Sequence, residues 1–467
     1  MRCNSTGARL AVKDNIASLG SLTTCDSNIL AGTAIPFDAT IVSQLRSRGF
    51  SVVGKTGMDE FGMGTHSTTG ARGIVRNAEP LQDFSAGGSS GGSAVSVSKG
   101  EAEIALGTDT GGSVRMPAAY TGTVGFKPSY GMLSRFGVVP YANSLDTVGL
   151  LAKTVTKIRD LLIGTKLFAE HDHNDPTSLP VSVRQRCTAQ RTGYDGQARS
   201  TLRGITFGLP IEYNVEELNS SVRDGWIRAA QIVEDMGGRV VPVSLPTTRM
   251  ALSAYYVIAP AEAASNLAKY DGIRYGRRNT DTDTDAPDGV LYAKTRASGF
   301  GKEVKRRILL GSYSLSSEAV DNYFIQAQKV RQLVRRDFDR VFKLSNPLRD
   351  EQPFDLSDMD ESVVLENKLG PTQVDFLLCP TAPTTPPLLE EVLHQTPLDS
   401  YMNDVFTVPA SLAGLPAISV PMGLASPAQD GEESKANFGG LQLIGQYWDD
   451  ARLLSVAELV SRAVDTR

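Results

Sequence analysis

Cysteine and histidine are scarce in this chain of 467 residues, with four of each. Cys3, Cys25, Cys187 and Cys379 form no C-x-x-C pair and are too sparse for a disulfide framework, which favours a reducing compartment. No run approaches the ~18 apolar residues that suggest a transmembrane helix, so no membrane association is expected. The opening MRCNSTGARLAVK lacks the apolar stretch of a secretory signal. There is no basic block, and a net charge of −5 argues against a strong nucleic-acid footprint of the chain's own. Neither glycine-rich segment fits G-x-x-x-x-G-K-[ST], so a phosphate-cradling loop is a weak reading. Hydrophobic residues at 41% and charged residues at 21% exclude wholesale disorder. A soluble globular protein with a large core is the expectation.

The periodicity of the chain is that of an α/β protein. Thr40–Arg48 reads as a helix stopping at Gly49, followed by a short strand over Phe50–Val53. Ile205–Leu209 reads as a strand. A helix capped by Ser220 or Ser221 follows, with Trp226, Ile227, Ala230, Val233 and Met236 on its apolar face. It stops at Gly237 and Gly238, and Val240–Leu245 is the next strand. Phe376–Cys379, Ile418–Val420 and Leu441–Ile444 are further strands, and Ala451–Val464 is a closing helix. Ser317–Phe342 is the longest helical pattern. Residues 168–204 and 345–372 break the rhythm and are expected to be surface insertions. With no repeat and no clear linker, residues 1–467 are expected to form one domain.

Chemistry is suggested by two glycine clusters. Residues 84–93 read Phe-Ser-Ala-Gly-Gly-Ser-Ser-Gly-Gly-Ser, and residues 107–113 read Gly-Thr-Asp-Thr-Gly-Gly-Ser. A flexible linker is the plain reading of the first, but it runs into a patterned apolar stretch and a second Gly-Gly-Ser. Successive glycines let backbone N–H groups crowd around one atom, as an oxyanion hole requires, and losing one such donor costs ~3–4 kcal/mol. Thr110, Gly111, Gly112 and Ser113 suit that arrangement, with Ser113 as nucleophile. The base is less obvious. His171 and His173 lie in a polar stretch, His394 among Pro and Glu, and His66 after Gly62-Met63-Gly64, with no His–Asp spacing to single one out. A buried neutral lysine is the alternative, and Lys13, at the end of the apolar run Leu10-Ala11-Val12, is the candidate. Periodicity alone does not select it.

Three segments together resemble the amidase signature family: Ala11-Val12-Lys13-Asp14-Asn15-Ile16, residues 87–93, and Gly107 through Ala119. Gly125-Phe126-Lys127-Pro128-Ser129-Tyr130-Gly131 fits as well. The resemblance implies an α/β amidase signature fold, a mixed, mostly parallel central sheet covered by helices on both faces. It implies a Ser–cis-Ser–Lys triad with Lys13 as base, Ser89 bridging on a cis peptide and Ser113 as nucleophile. Within the family the chain is most similar to the glutaminase components of tRNA-dependent amidotransferases, through Tyr270–Gly276, Gly299–Ile308, Ala327–Arg331, Tyr401–Asp404 and Leu412–Pro416. On that resemblance Arg307 holds the substrate carboxylate, Asp404 its amino group, and Tyr255 lies beside it. Glutamine is then the substrate, and its ammonia passes to a partner that converts Glu-tRNA(Gln) to Gln-tRNA(Gln).

The implied assembly is a heterotrimer with a B-type and a small C- or F-type amidotransferase subunit. No cofactor or metal is expected in this chain; ATP and Mg are used by the partner, which also holds most of the tRNA. The two insertions point to a mitochondrial matrix enzyme. Only twelve residues precede Lys13, so the N-terminal helical part of the family is expected to be missing.

Other readings compete. A stand-alone amidase for small or fatty amides would carry the same triad but would not need Arg307 and Asp404. An inactive scaffold within a complex would assemble without releasing ammonia. Ser96-Val97-Ser98-Lys99 and Lys55-Thr56-Gly57 match penicillin-recognising motifs in reversed order and without S-D-N, so that class is rejected.

Overall fold

Successive residues of strand Ala8–Lys13 (β1) face opposite sides of the sheet and meet different neighbours. Leu10 and Val12 join the main core with Ile41, Val42 and Leu45 of helix Thr40–Ser47. Ala11 turns the other way and packs with Ala94 and Val97 of helix Gly91–Ser98 and with Ala118 of helix Arg115–Thr121. Helices therefore cover both faces of the sheet at this point. The small side chains on the second face let two helices approach the strand that carries Lys13.

In this computed structural model, residues 7–196, 199–279, 291–349, 372–424 and 438–465 are described. The remaining strands are Phe50–Thr56 (β2), Ile104–Asp109 (β3), Val124–Lys127 (β4), Thr147–Ala152 (β5), Thr206–Pro210 (β6), Arg239–Val243 (β7), Phe376–Pro380 (β8), Ala417–Gly423 (β9) and Phe438–Ile444 (β10). They form one mixed sheet in the order β2-β1-β3-β5-β4-β9-β10-β8-β6-β7. Parallel pairing occupies both flanks, β2-β1-β3 and β8-β6-β7. Antiparallel pairing joins them through β5, β4, β9 and β10. Among the described residues no helix is long and apolar enough to cross a membrane.

Several sequence expectations shift. The cap of helix Ser220–Asp235 is Asn219, whose side chain accepts from Ser221 N–H at 2.9 Å. Ile227, expected on the buried face of that helix, is 51% exposed, one position around from the buried Trp226. The long helix runs only over Phe324–Val341. Residues before it fold into turns held by bonds such as Asn322 N–H to Ala319 C=O.

Residues 168–204, expected on the surface, are stitched into the body. Arg184 is buried on helix Val181–Ala189 and donates to the carbonyls of Leu179, Phe168 and Gly131. Phe168, Cys187 and Leu202 are buried in the main core. Of the second expected insertion, residues 350–371 lie outside the described residues.

Candidate active site

β1 and β3 run parallel side by side, so their carboxyl ends open on the same edge of the sheet, where open α/β folds place their sites. Lys13 ends β1, and Thr108 and Asp109 end β3. The Lys13 side chain is fully buried. Its Nζ lies 2.8 Å from Ser89 Oγ, 2.8 Å from Ser90 Oγ, 2.9 Å from Thr108 Oγ1 and 3.3 Å from the Thr108 carbonyl. The peptide joining Gly88 to Ser89 is cis.

Among the described residues no carboxylate forms an ion pair with Lys13. Burial therefore dominates and pushes its amine down to about 7, with Asp59, Asp109 and Asp146 pulling back only from a distance. The neutral form fits this environment. It has two N–H bonds and one lone pair. Ser90 Oγ commits its hydrogen to the Thr108 carbonyl at 3.3 Å and so accepts from Lys13. Thr108 Oγ1 accepts from Asn15 and can accept from Lys13 as well. With both amine hydrogens so used, the lone pair is left for the Ser89 hydroxyl.

The 110–113 loop follows β3 directly and enters helix Arg115–Thr121. Ser113 is partly exposed, and its carbonyl accepts from Ser90 N–H at 3.0 Å, which fastens the two glycine segments to each other. Thr110 donates its hydroxyl to Asp146 at 2.7 Å. A Cβ on Gly111 would sit 2.7 Å from the Tyr255 hydroxyl, so only glycine lets that ring close on the loop. Gly112 has φ +153°, and its Cα faces the Thr407 side chain with no room for a Cβ.

Beneath the loop, Asp109 and Arg115 form a buried ion pair at 2.8 Å. Burial alone would raise the Asp109 carboxyl, but the guanidinium outweighs it and holds it below the usual range. Arg115 also donates to Gln442 on β10, to Ser411 and to the Thr407 carbonyl. Such a network is costly to desolvate and costly to break, so it fixes the loop rather than adding net stability.

A second cluster faces the loop. Arg307, on helix Lys302–Ser314, is only 3% exposed despite the basic run around it. It donates from Nε to Glu303 at 2.8 Å and from Nη1 to the Tyr141 hydroxyl at 2.7 Å. The rings of Tyr141, Tyr256 and Tyr401 surround the guanidinium at 5.3 to 5.8 Å. Burial would lower its pKa, but the tyrosine hydroxyls and Glu303 outweigh this and raise it. Tyr401 also donates to Glu303 at 2.7 Å. Asp404 is buried and accepts from the Tyr256 hydroxyl at 2.9 Å. Burial pushes its carboxyl up to about 7, and the Tyr256 bond offsets only part of this. Tyr255 bridges the clusters, with its ring edge-on to Tyr256 at 5.0 Å and closed on Gly111 of the loop.

The residues singled out from the sequence thus fall into two groups. Lys13, Ser89, Thr110, Gly111, Gly112 and Ser113 line one side; Tyr255, Arg307 and Asp404 line the other. Sequence reasoning missed Ser90, Thr108, Tyr141, Asp146, Glu303, Tyr256 and Tyr401. Glu303 was accessible, because it stands four residues before Arg307 on the same helix face. Among the described residues no group of three or more His, Cys, Asp or Glu side chains is placed to hold a metal.

A profile of the amidase family matches residues 6–454. The chain is 61% identical over 464 residues to a Podospora anserina protein named as the mitochondrial A-type component of glutamyl-tRNA(Gln) amidotransferase, covering 98% of this chain and 90% of that one. An Emericella nidulans protein of the same name is 50% identical, with 99% of this chain and 90% of that one covered. Among solved structures, the corresponding glutamyl-tRNA(Gln) amidotransferase component from Thermotoga maritima superposes with a TM-score of 0.72 at 34% identity. That match covers 98% of this chain and 83% of the other.

Proposed function

The chain belongs to the amidase family, and on that premise we propose that it is the glutaminase component of a mitochondrial glutamyl-tRNA(Gln) amidotransferase. The observation that carries this reading is the buried Lys13 amine 2.8 Å from Ser89 Oγ, held with no ion-pair partner among the described residues. A lysine in that state accepts a proton near neutral pH.

In the proposed reaction Ser113 Oγ attacks the side-chain amide carbon of glutamine. Its proton passes to the Ser89 hydroxyl as the Ser89 proton passes to Lys13 Nζ. The N–H groups of the Thr110–Gly112 segment stabilise the tetrahedral oxyanion. Collapse returns a proton to the leaving nitrogen, ammonia departs, and a glutamyl ester remains on Ser113. Water attacks that ester by the same route, and glutamate is released.

Arg307 suits the α-carboxylate and Asp404 the α-ammonium, the two charged ends of a free amino acid. The burial of Asp404 against a hydroxyl partner favours this substrate over an apolar amide, which would bring that carboxylate no cation. The ammonia then serves a partner that uses ATP and Mg to amidate Glu-tRNA(Gln), in a complex with a B-type and a small C- or F-type subunit.

The test is ammonia release from glutamine by the chain in complex with its partners, for the wild type and Ser113→Ala. The variant is expected to fall by at least about a thousandfold. Equal release by both proteins overturns the reading.

A further inference from the structure

His66 is buried at 2% exposure in a place where the proposed chemistry does not use it. Both its ring nitrogens are engaged. Nδ1 lies 2.9 Å from Ser85 Oγ, and Nε2 lies 3.2 Å from Asn403 Nδ2. The ring stacks on Tyr120, with centroids 6.4 Å apart and planes 17° from parallel.

The tautomer follows from these partners. Asn403 Nδ2 also donates to the Ser400 carbonyl at 3.3 Å, an acceptor only, which fixes the amide's orientation. Nδ2 must therefore donate to Nε2, and Nε2 carries a bare lone pair. The one ring hydrogen sits on Nδ1 and points at Ser85 Oγ. That oxygen also accepts from Gly87 N–H at 3.0 Å. Burial, with no carboxylate in contact, pushes the imidazole down to about 4, so the neutral ring persists across the working pH range.

What the ring joins gives it meaning. On one side Ser85 holds Gly87, two residues before Ser89. The next residue after the histidine reinforces this, since the Ser67 hydroxyl donates to the Gly87 carbonyl at 2.9 Å and accepts from Gly91 N–H at 3.0 Å. On the other side Asn403 immediately precedes Asp404. Thr65 adds a bond to the Ser400 carbonyl at 3.3 Å in the same segment. Among the described residues no side chain of the two clusters bonds toward both the Ser89 loop and the Asp404 segment, so the histidine supplies a link that they lack.

We propose that His66 is a positioning residue that ties the Ser89 loop to the segment carrying Asp404, with each ring nitrogen serving one of the two. The role given to Asp404 rests on the glutaminase reading; the bonding role of the ring does not.

The two arms separate by substitution. In His66→Asn the side-chain amide nitrogen takes the place of Nδ1 toward Ser85 but nothing reaches Asn403. In His66→Gln the amide oxygen takes the place of Nε2 toward Asn403 but the Ser85 donor is lost. Steady-state glutamine hydrolysis and the rate of covalent labelling of the nucleophilic serine by a sulfonyl fluoride are measured for both, alongside thermal unfolding. His66→Asn is expected to raise KM about fivefold with kcat and labelling within about twofold of wild type. His66→Gln is expected to slow kcat and labelling about fivefold with KM within about twofold. Parallel changes in both variants, or no change in either, overturn the proposal.

A wild type that is labelled but releases no ammonia from glutamine would defeat the glutaminase reading alone, and the labelling comparison would still decide the Ser85 arm. Independently of any activity, nitrogen-15 spectra of the histidine-labelled chain are expected to show His66 protonated on Nδ1 and bare on Nε2 at pH 7. The opposite tautomer overturns the proposal whatever the variants do.

Discussion

Lys13 and Arg307 are both long cationic side chains, and both are buried almost completely, at 0% and 3% exposure. They end in opposite states. Around Lys13 stand three hydroxyls and a carbonyl, groups that satisfy hydrogen bonds without supplying charge. Burial then wins, and the amine drops to about 7. Around Arg307 stand a carboxylate and three tyrosine rings. There the charge is held more firmly than in water. Burial alone thus predicts nothing about ionisation. What decides it is whether the neighbours bring charge or only dipoles. Lys13 is placed to give up its proton near neutral pH and Arg307 never to give one up, which suits a base facing a clamp for a charged substrate.

The sharpest way to break this contrast is to remove the amine. Lys13→Met keeps much of the length and apolar volume but abolishes the lone pair. We expect kcat to fall by about 10²–10⁴-fold, the range for a lost general base. The variant should unfold no earlier than wild type, because a buried polar end has been replaced by an apolar one. Rates and thermal unfolding on the same preparations check both halves. A variant that keeps its rate would mean the amine is structural. On the other side, Arg307→Lys retains the charge but loses the planar fork and its stacking among the tyrosines. We expect glutamine KM to rise about 10–100-fold with kcat little altered. Unchanged KM would place the substrate carboxylate elsewhere.

Which parts of this were legible beforehand follows from how far each feature depends on local pattern. The strands and helices of the two flanks were readable because their periodicity is local, as in Ser220–Asp235 and Phe376–Pro380. β4 and β5 were not anticipated. Val124–Lys127 is only four residues long, and Thr147–Ala152 is buried throughout, so neither displays an alternating face. Ser113 and its glycines were singled out as candidates from chemistry. Lys13 was selected only through the resemblance, since its surroundings come from Ser89, Ser90 and Thr108, 76 to 95 residues away. The tyrosine cage was invisible for the same reason: Tyr141, Tyr256 and Tyr401 meet only in the folded chain. Residues 168–204 misled for the converse reason, because a polar stretch resembles a surface loop until Arg184 within it finds the carbonyls of Leu179, Phe168 and Gly131.

A difference of about tenfold per pH unit between two slopes tests both sides at once. Lys13 must be neutral to accept a proton, so its contribution to rate is present above about pH 7 and is lost as pH falls through that value. Asp404 must be ionised to hold an ammonium. Its carboxyl, pushed up to about 7 by burial, likewise loses its useful form as pH falls through the same region. In the free enzyme both losses count, so well below pH 7 kcat/KM should fall about a hundredfold per pH unit. Once glutamine is bound, its ammonium lies against Asp404 and favours the carboxylate, which leaves Lys13 as the one titrating group. The fall in kcat should then be about tenfold per unit over the same range. The difference between the two slopes is the contribution of the recognition side. Parallel slopes for kcat and kcat/KM would mean that Asp404 is already ionised in the free enzyme, and that the charge separation between the two sides is less complete than their neighbours imply.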